Sequence, residues 1–277
     1  MDRSVIQTFW AGPISDMEIL CLKSWVGHGH PVHLYTYDDI SGLPAGVVTI
    51  DAGVIVPADE MTLYTGPAPV SHRPDAFSYM PFSDLFRYRL LRFNGGLWMD
   101  LDIILLQPIP DALFEKDFFC SSERTIQAGQ LKAKSPFKAN IGVIYCSEPE
   151  SDLMIELVND RRPTRWPWNG LKKFAKWVER LGLAKGVLQP SVFCDMNWWD
   201  LRAITVTVDD TDILPAKLGH AGTPVRWPAE AVGVHLWRGL LRQKGMAYNL
   251  AAVNPRSYLG RLYSHAEQVY LQRLALL

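Results

Sequence analysis

The chain has 277 residues, of which 48% are hydrophobic, and this is enough to bury one sizeable core. Its formal net charge of −1 excludes a global positive field that would draw the chain to nucleic acid. No run approaches the roughly 18 to 20 apolar residues of a membrane-spanning helix, and residues 1–10 do not resemble a signal peptide. The four cysteines lack paired spacing and indicate buried thiols. We therefore expect one cytoplasmic α/β domain covering residues 1–277.

The first elements predict a strand–helix–strand unit, with a strand over 5–10, a helix over 15–27 and a strand over 32–37. Ser15 is the expected N-cap of the helix. Ligands of such sheets bind beyond the carboxyl ends of the strands. This places Phe9, Trp10 and Tyr37 at one crevice, where each ring either stacks on a nucleobase or packs in the core.

The next region, 38–77, is rich in Asp, Gly and Pro and is typical of a connection. Within it we expect short strands at 47–50 and 54–56. We also expect a substrate loop at 65–74.

The stretch from Phe82 to Pro110 combines a helix, a glycine stop and a buried strand. Apolar residues recur at helical spacing over 83–93, and Ser83 is the expected N-cap. Asn94-Gly95-Gly96 ends this helix, because these residues tolerate the left-handed conformation. The following run, LWMDLDIILL, predicts a strand buried on both faces.

Two aspartates interrupt this predicted strand. Because side chains alternate along a strand, Asp100 and Asp102 are expected to project to the same side. Unpaired carboxylates are costly to bury, and oxygen ligands select hard ions such as Mg²⁺ or Mn²⁺. An Asp-X-Asp by itself more often caps a loop or pairs with an arginine. Its fixed order with the Ser-Asp-X-X-Arg helix and the Gly-Gly break favours a metal site.

The residues from Ser83 to Tyr88 and from Gly95 to Asp102 resemble the DXD sugar-binding region of a glycosyltransferase family. This family is related to yeast initiating α-mannosyltransferase, α-1,4-galactosyltransferase and capsular polysaccharide transferases. The resemblance is strong over about 78–110 and weaker at 6–10 and 140–146. It implies a GT-A fold, a UDP- or GDP-sugar donor, a Mn²⁺ or Mg²⁺ ion between the DXD and the diphosphate, and transfer with retention.

The resemblance also implies roles for single residues. Asp102 would bind the metal, Asp100 would contact the metal or the ribose, and Asp84 with Arg87 would position the donor sugar and phosphates. These four residues form the expected catalytic group. The residues expected to bind the donor, from the crevice and from the resemblance together, are Phe9, Trp10, Tyr37, Asp84, Arg87, Gly95, Gly96, Asp100, Asn140 and Gln189. An Asn at a strand start, such as Asn140, is often only a turn residue, and Gln189 stands where relatives carry glycine.

Later strands are predicted at 118–120, 140–146, 203–208 and 232–237, and helices at about 149–159 and 254–277. His235 lies in the last strand. It is either a structural hydrogen-bonding residue or the third metal ligand that the resemblance to retaining GT-A enzymes implies. Asp195 is the one spare candidate for a general base, and this shortage of bases favours retention.

The segment 161–185 carries eight Lys or Arg, one acid and three tryptophans. Such runs are usually solvated, but basic clusters with Trp also occur at membrane interfaces. We expect this segment to dock a glycan or glycolipid acceptor at the anionic inner face of the plasma membrane.

The predicted function is sugar transfer in bacterial surface polysaccharide or glycolipid synthesis. A toxin-like enzyme that glycosylates proteins would need delivery domains. A DXD phosphohydrolase would need its nucleophilic Asp at an early strand end. A non-catalytic relative that binds sugar nucleotides stays open, because such a protein could keep both aspartates.

Overall fold

The fold is described from a computed structural model. The described residues are 3–61, 66–67, 77–125, 137–160, 170–198, 216–218, 224–226, 229–243 and 253–276. The predicted strand at 203–208 lies outside them, as do most of the predicted loop at 65–74 and residues 161–169 of the basic segment.

Strands and helices alternate along the described chain, which confirms the predicted α/β class. The strands are β1 (Ile6–Phe9), β2 (Val32–Thr36), β3 (Val47–Asp51), β4 (Gly66–Pro67), β5 (Phe77–Ser78), β6 (Gly96–Met99), β7 (Ile103–Leu105), β8 (Phe118–Arg124), β9 (Phe137–Cys146), β10 (Ala216–Leu218), β11 (Pro224–Arg226) and β12 (Gly233–His235). The helices are α1 (Asp16–Gly27), α2 (Met80–Asn94), α3 (Asp111–Phe114), α4 (Asp152–Asn159), α5 (Leu171–Arg180), α6 (Pro190–Phe193), α7 (Arg238–Gln243) and α8 (Tyr258–Leu274). None of the helices in the described part of the chain combines the length and apolar character needed to cross a membrane.

A six-stranded sheet in the order β3-β2-β1-β6-β9-β8 forms the centre of the fold. Strand β1 pairs in parallel with β2 on one side and with β6 on the other. Strand β9 pairs antiparallel with β6 and with β8. The strand order therefore reverses beside β1, and the carboxyl ends of β1 and β6 lie next to each other at that point. Sheets of this kind bind ligands in the crevice at such a reversal.

Apolar side chains cover both faces of the sheet. Trp25 of α1 and Leu262 of α8 belong to one buried cluster, and both side chains are inaccessible to solvent. Phe86 of α2, Leu153 of α4 and Phe174 of α5 belong to the other cluster. Burial of an aliphatic or phenyl side chain of this size contributes about 1.5 to 3 kcal/mol. The two layers fix α1 and α2 beside the strand ends of β1 and β6.

The helix boundaries follow local signals in the sequence. Ser15 is the N-cap of α1, as predicted, and the Glu18 carboxylate accepts a hydrogen bond from the Ser15 N–H at 2.8 Å. Helix α2 begins a turn earlier than predicted, with Tyr79 at the N-cap and Pro81 in the first turn. Proline suits this position because the first N–H groups of a helix lack intrahelical partners. The expectation that Ser83 caps the helix is therefore wrong.

The predicted strand at 54–56 is also wrong. The Asp51 carboxylate accepts a hydrogen bond from the Gly53 N–H at 2.8 Å, and a 3₁₀ turn follows at Ala52–Val54. An Asp that bonds the backbone two residues ahead favours a turn over a strand. Gly95 ends α2, as predicted, with φ of 61° and ψ of −154°, a positive-φ conformation that glycine adopts readily but that differs from the predicted left-handed helical one.

Candidate functional site

Two aspartates follow β6, at the place where the strand order reverses. Strand β6 ends at Met99, Asp100-Leu101-Asp102 forms a turn, and β7 pairs with β12 in a separate two-stranded sheet. The expectation of one continuous strand through both aspartates is therefore wrong. The carboxylates still converge, because ligand atoms of Asp100, Asp102 and His235 lie within 4.8 Å of one another.

His235 reaches this group through strand pairing. Strand β12 runs antiparallel to β7 and places His235 opposite Ile103, the residue after Asp102. The His235 Nε2 atom is 3.2 Å from Asp102 Oδ1. Burial alone would lower the pKa of His235, but the Asp102 carboxylate raises it well above its usual value.

Asp102 is held from two sides. Its Oδ1 faces His235, and its Oδ2 accepts a hydrogen bond from the Arg238 N–H at 2.9 Å. Burial would raise the pKa of Asp102, but His235 and the Arg238 N–H together hold it below its usual range. The carboxylate is therefore favoured in its charged form.

Asp100 is fixed by three hydrogen bonds. Its Oδ1 accepts from Trp98 Nε1 and from Arg87 Nη1, each at 2.9 Å. Its N–H donates to the Gly142 carbonyl at 2.7 Å. Burial is the largest effect on the pKa of Asp100 and leaves it raised, although Arg87 opposes this shift.

Arg87 of α2 bridges Asp100 and Asp84. Its Nη2 is 3.2 Å from Asp84 Oδ1, its Nη1 also donates to the Ile141 carbonyl at 2.7 Å, and 6% of the side chain is exposed. Burial, opposed by Arg87, raises the pKa of Asp84 to about 6. These contacts favour a role in holding Asp100 over the predicted direct contact of Asp84 and Arg87 with the donor.

The three converging side chains fit a divalent cation by their donor atoms. Two carboxylates make the set mostly hard, which suits Mg²⁺ or Mn²⁺. An imidazole nitrogen is accepted more readily by a transition-metal ion, and this favours Mn²⁺ of the two. The predicted group of Asp100, Asp102 and His235 is thus brought together with the chemistry expected of a metal site.

Trp10 directly follows β1 and lies beside the same group. The guanidinium of Arg238 lies 4.7 Å from the centroid of the Trp10 ring and contacts the fully buried carboxylate of Glu18. Because the Arg238 N–H also bonds to Asp102, these contacts join Trp10 to the acidic pair. The crevice therefore has an aromatic ring and a cation next to the carboxylates.

Phe9 is buried, whereas Tyr37 is partly buried, as Trp10 is. Phe9 is 6% exposed and stacks on Phe86 with ring centroids 4.5 Å apart. Tyr37 packs edge-on against Phe9, and its hydroxyl donates to the Val56 carbonyl. These contacts match the alternative of core packing for both residues.

Gly95 and Gly96 lie at the opposite end of β6 from Asp100. A four-residue strand separates them from the carboxylates by about 13 Å at 3.3 Å per residue. A Cβ atom on Gly95 would lie 2.9 Å from the carbonyl carbon of Glu148, so this position requires glycine for packing. The structure does not bring either glycine to the carboxylates, and the predicted donor contact of both stays a prediction.

Gln189 is exposed and is the N-cap residue of α6. Its backbone carbonyl accepts a hydrogen bond from the Val192 N–H at 3.0 Å. Within the described part of the chain, no hydrogen bond or ion pair joins Gln189 to the carboxylate group, and its predicted role in donor binding stays a prediction.

Asn140 is tied to the site through the backbone of β9. Its Nδ2 donates to Glu123 at 2.7 Å, and its Oδ1 accepts from the Gly142 N–H at 2.7 Å. Gly142 in turn accepts the Asp100 N–H. Asn140 is buried and supports the backbone that holds Asp100, and its predicted contact with the donor stays a prediction. Sequence reasoning missed Gly142 and Arg238, which carried no signal beyond their place near predicted strands.

Comparison with known proteins gives one family and several structures. Residues 71–159 match the sequence model of a family described as "Capsular polysaccharide synthesis protein". The match covers about a third of the chain and contains α2, the Asp100–Asp102 turn and Asn140. The expected resemblance to capsular polysaccharide transferases is confirmed over these residues. A search of curated proteins gives no match.

Three solved structures that resemble this chain are structures of glycosyltransferases. The PaToxG glycosyltransferase is 16% identical, with 64% of this chain and 69% of that chain covered and a TM-score of 0.42. The galactosyltransferase LgtC with donor and acceptor sugar analogues is 12% identical, with 95% of each chain covered and a TM-score of 0.44. The bifunctional WbbM is 9% identical, with 99% of this chain and 52% of that chain covered and a TM-score of 0.46. At these TM-scores the likeness carries no argument about the site.

Proposed function

We propose that the protein is a metal-dependent, retaining glycosyltransferase. It moves a sugar from a UDP- or GDP-linked donor to a hydroxyl acceptor in bacterial surface polysaccharide or glycolipid synthesis. The observation that carries the proposal is the convergence of Asp100, Asp102 and His235 at the sheet reversal. Both aspartates lie in the segment that matches the capsular polysaccharide synthesis family.

Each part of the site has a role in this proposal. Asp100, Asp102 and His235 hold Mn²⁺ or Mg²⁺, which supplies positive charge against the diphosphate leaving group. Arg87 holds Asp100 in place. Trp10 would contact the nucleobase with the ring face that Arg238 does not cover, and Arg238 adds a cation at the same crevice.

We propose retention because the one candidate general base, Asp195, is buried and paired with an arginine. Asp195, the spare candidate for a general base, is 4% exposed, and its Oδ1 is 2.9 Å from Arg124 Nη2. A buried, paired carboxylate is poorly placed to take a proton from an acceptor hydroxyl. An inverting enzyme needs such a base, whereas a retaining enzyme can use an oxygen of the leaving phosphate.

The test combines binding and turnover. Melting of the purified protein is measured with UDP, GDP and their sugars, with and without Mn²⁺, because a ligand of the folded state raises the melting temperature. We expect one nucleotide to stabilise the protein only with Mn²⁺. The matching sugar donor is then followed by NMR, and the first released or transferred sugar is expected to keep the donor's anomeric configuration. An inverted product would overturn retention, and binding without turnover would favour the non-catalytic relative.

We also propose that the protein associates with anionic membranes through α5. Lys172, Lys176 and Arg180 are exposed on this helix. Two other residues of the helix face the protein instead. The Nζ of Lys173 donates to carbonyls at the end of α4, and the Trp177 Nε1–H donates to the Asp160 carboxylate at 3.5 Å. The exposed charges, and not Trp177, therefore support the docking role.

Charge reversal of the three exposed residues to Glu is expected to remove binding to anionic vesicles. Each basic residue near an anionic surface contributes on the order of 1 kcal/mol, and salt screens this attraction. Co-sedimentation with phosphatidylserine-containing liposomes at low and high salt measures the effect. The control reverses Arg3, Lys116 and Arg256, which are exposed outside the segment. Equal loss in both variants, or no binding by the wild type at low salt, would remove the docking role.

A further inference from the structure

The short segment Cys194–Met196 contacts two neighbouring rings of the candidate metal site. The Cys194 Sγ is 3.7 Å from His235 Nδ1, on the opposite side of the ring from Asp102. The Trp237 Nε1–H donates to the Met196 carbonyl at 2.9 Å. The rings of His235 and Trp237 stack with centroids 4.0 Å apart and planes 16° apart. One segment therefore contacts both members of a stacked pair.

The backbone beside His235 is strained. Trp237 has φ of 55°, a conformation that bulky side chains rarely adopt. Such strain persists only where surrounding contacts determine the conformation, and it is found most often at functional sites. The ring stack and the bond to Met196 are contacts of this kind. The orientation of His235 is thus set by several contacts at once.

The segment is itself anchored to strands on both sides. Arg124, at the end of β8, donates to the Asp195 carbonyl at 3.0 Å and pairs with the Asp195 carboxylate at 2.9 Å. On the other side, the Val232 N–H, just before β12, donates at 2.8 Å to the carbonyl of Val192, which lies two residues before the segment. Asp195 therefore has a structural use between the two residues that touch the rings.

Gly142 leaves the space that the imidazole occupies. A Cβ atom at this position would lie 3.2 Å from Cε1 and 3.4 Å from Nδ1 of His235. It would also lie 2.9 Å from Asn140 Oδ1. The His235 ring is thus confined by Gly142, by Trp237 and by Cys194.

We propose that Cys194 is a positioning residue that fixes His235 for metal binding, and this rests on the proposed metal-dependent function. With Nε2 directed to the ion, the other ring nitrogen carries a proton that Nδ1 donates to the Cys194 sulfur. Metal-bound histidines usually donate this proton to a carboxylate, a carbonyl or water, and loss of that partner typically weakens metal binding 10- to 100-fold. Here a buried thiol takes that place.

The experiment compares Cys194→Ala with Cys146→Ala. Both cysteines are almost fully buried, but Cys146 pairs with Gly96 at the far end of β6. Each variant removes one sulfur from the core, so the loss of packing is matched. Mn²⁺ affinity is measured by electron paramagnetic resonance. We expect about 10- to 100-fold weaker binding for Cys194→Ala, a smaller loss for Cys194→Ser, and wild-type affinity for Cys146→Ala. Equal Mn²⁺ affinity of the two alanine variants would overturn the proposal.

A second measurement needs no metal. The ¹⁵N resonance of His235 Nδ1 is expected to shift in Cys194→Ala and to stay in place in Cys146→Ala. If the wild type takes up no Mn²⁺, the proposed function fails, and the NMR comparison still decides the contact. An unchanged Nδ1 resonance in Cys194→Ala would overturn the positioning role by itself.

Discussion

Asp102→Asn is expected to lower sugar transfer by at least about a thousandfold and to abolish Mn²⁺-dependent nucleotide binding. A metal ion supplies several kcal/mol of charge stabilisation, and about 4 kcal/mol corresponds to a factor of a thousand. The amide keeps the size of the side chain, and its oxygen can still accept the Arg238 N–H. The change therefore removes the charge while the local hydrogen bond remains.

The measurement is initial transfer rate at saturating Mn²⁺, with a melting curve to confirm that the variant is folded. Asp39→Asn is the control, because Asp39 is exposed and the same chemical change there leaves the site intact. A transfer rate for Asp102→Asn equal to that of the control would mean that the metal site is misplaced.

The sequence predicts most of the architecture around this aspartate, because its signals there are local. Helix α1 follows its N-cap residue, and Gly95 ends α2 where a positive φ is needed. The strands β1 and β2 are short apolar runs on either side of that helix, and they pair in parallel as expected. These elements need only neighbouring residues to be recognised.

The break between β6 and β7 could not be predicted in this way. Residues 97–106 are apolar apart from the two aspartates and predict one strand, yet the first part pairs with β1 and β9, and the second pairs with β12. The partner strand lies about 130 residues later in the chain, so no local pattern marks the change. Cys194 and His235 are also far apart in the chain, by 41 residues, and no local pattern marks their contact. Periodicity gives the burial of a segment but not the sheet that buries it.

The burial of Arg87 likewise could not be predicted from the local sequence. The sequence places Asp84 and Arg87 on the polar side of a helix, which normally faces solvent. In the structure Arg87 lies between two carboxylates from different elements and over the ring of Trp98 at 4.9 Å. A polar helix face can thus be buried where another polar group meets it.

Arg87→Met is expected to destabilise the fold by about 3 to 5 kcal/mol, the usual cost of leaving buried charges without a partner. The variant keeps a long apolar stem against Trp98 but removes the cation between Asp84 and Asp100. Urea unfolding at pH 7.5 measures the free energy of unfolding. Arg89→Met is the matched control, because Arg89 lies on the same helix and pairs with Glu60 at 2.8 Å in a more exposed position. A partly exposed pair of this kind is expected to contribute about 1 kcal/mol.

The pH dependence of the difference in unfolding free energy between Arg87→Met and the wild type tests whether loss of the cation causes the destabilisation. The pKa of Asp84 is about 6 with Arg87 present, and it rises further without the cation, because Arg87 lowers it. A protonated Asp84 needs no cation, so the stability gap between Arg87→Met and the wild type is expected to narrow as the pH falls from 7.5 through 6. The gap for Arg89→Met is expected to stay small throughout. A gap for Arg87→Met that is below 1 kcal/mol, or that widens toward pH 5.5, would contradict the view that Arg87 compensates these buried carboxylates.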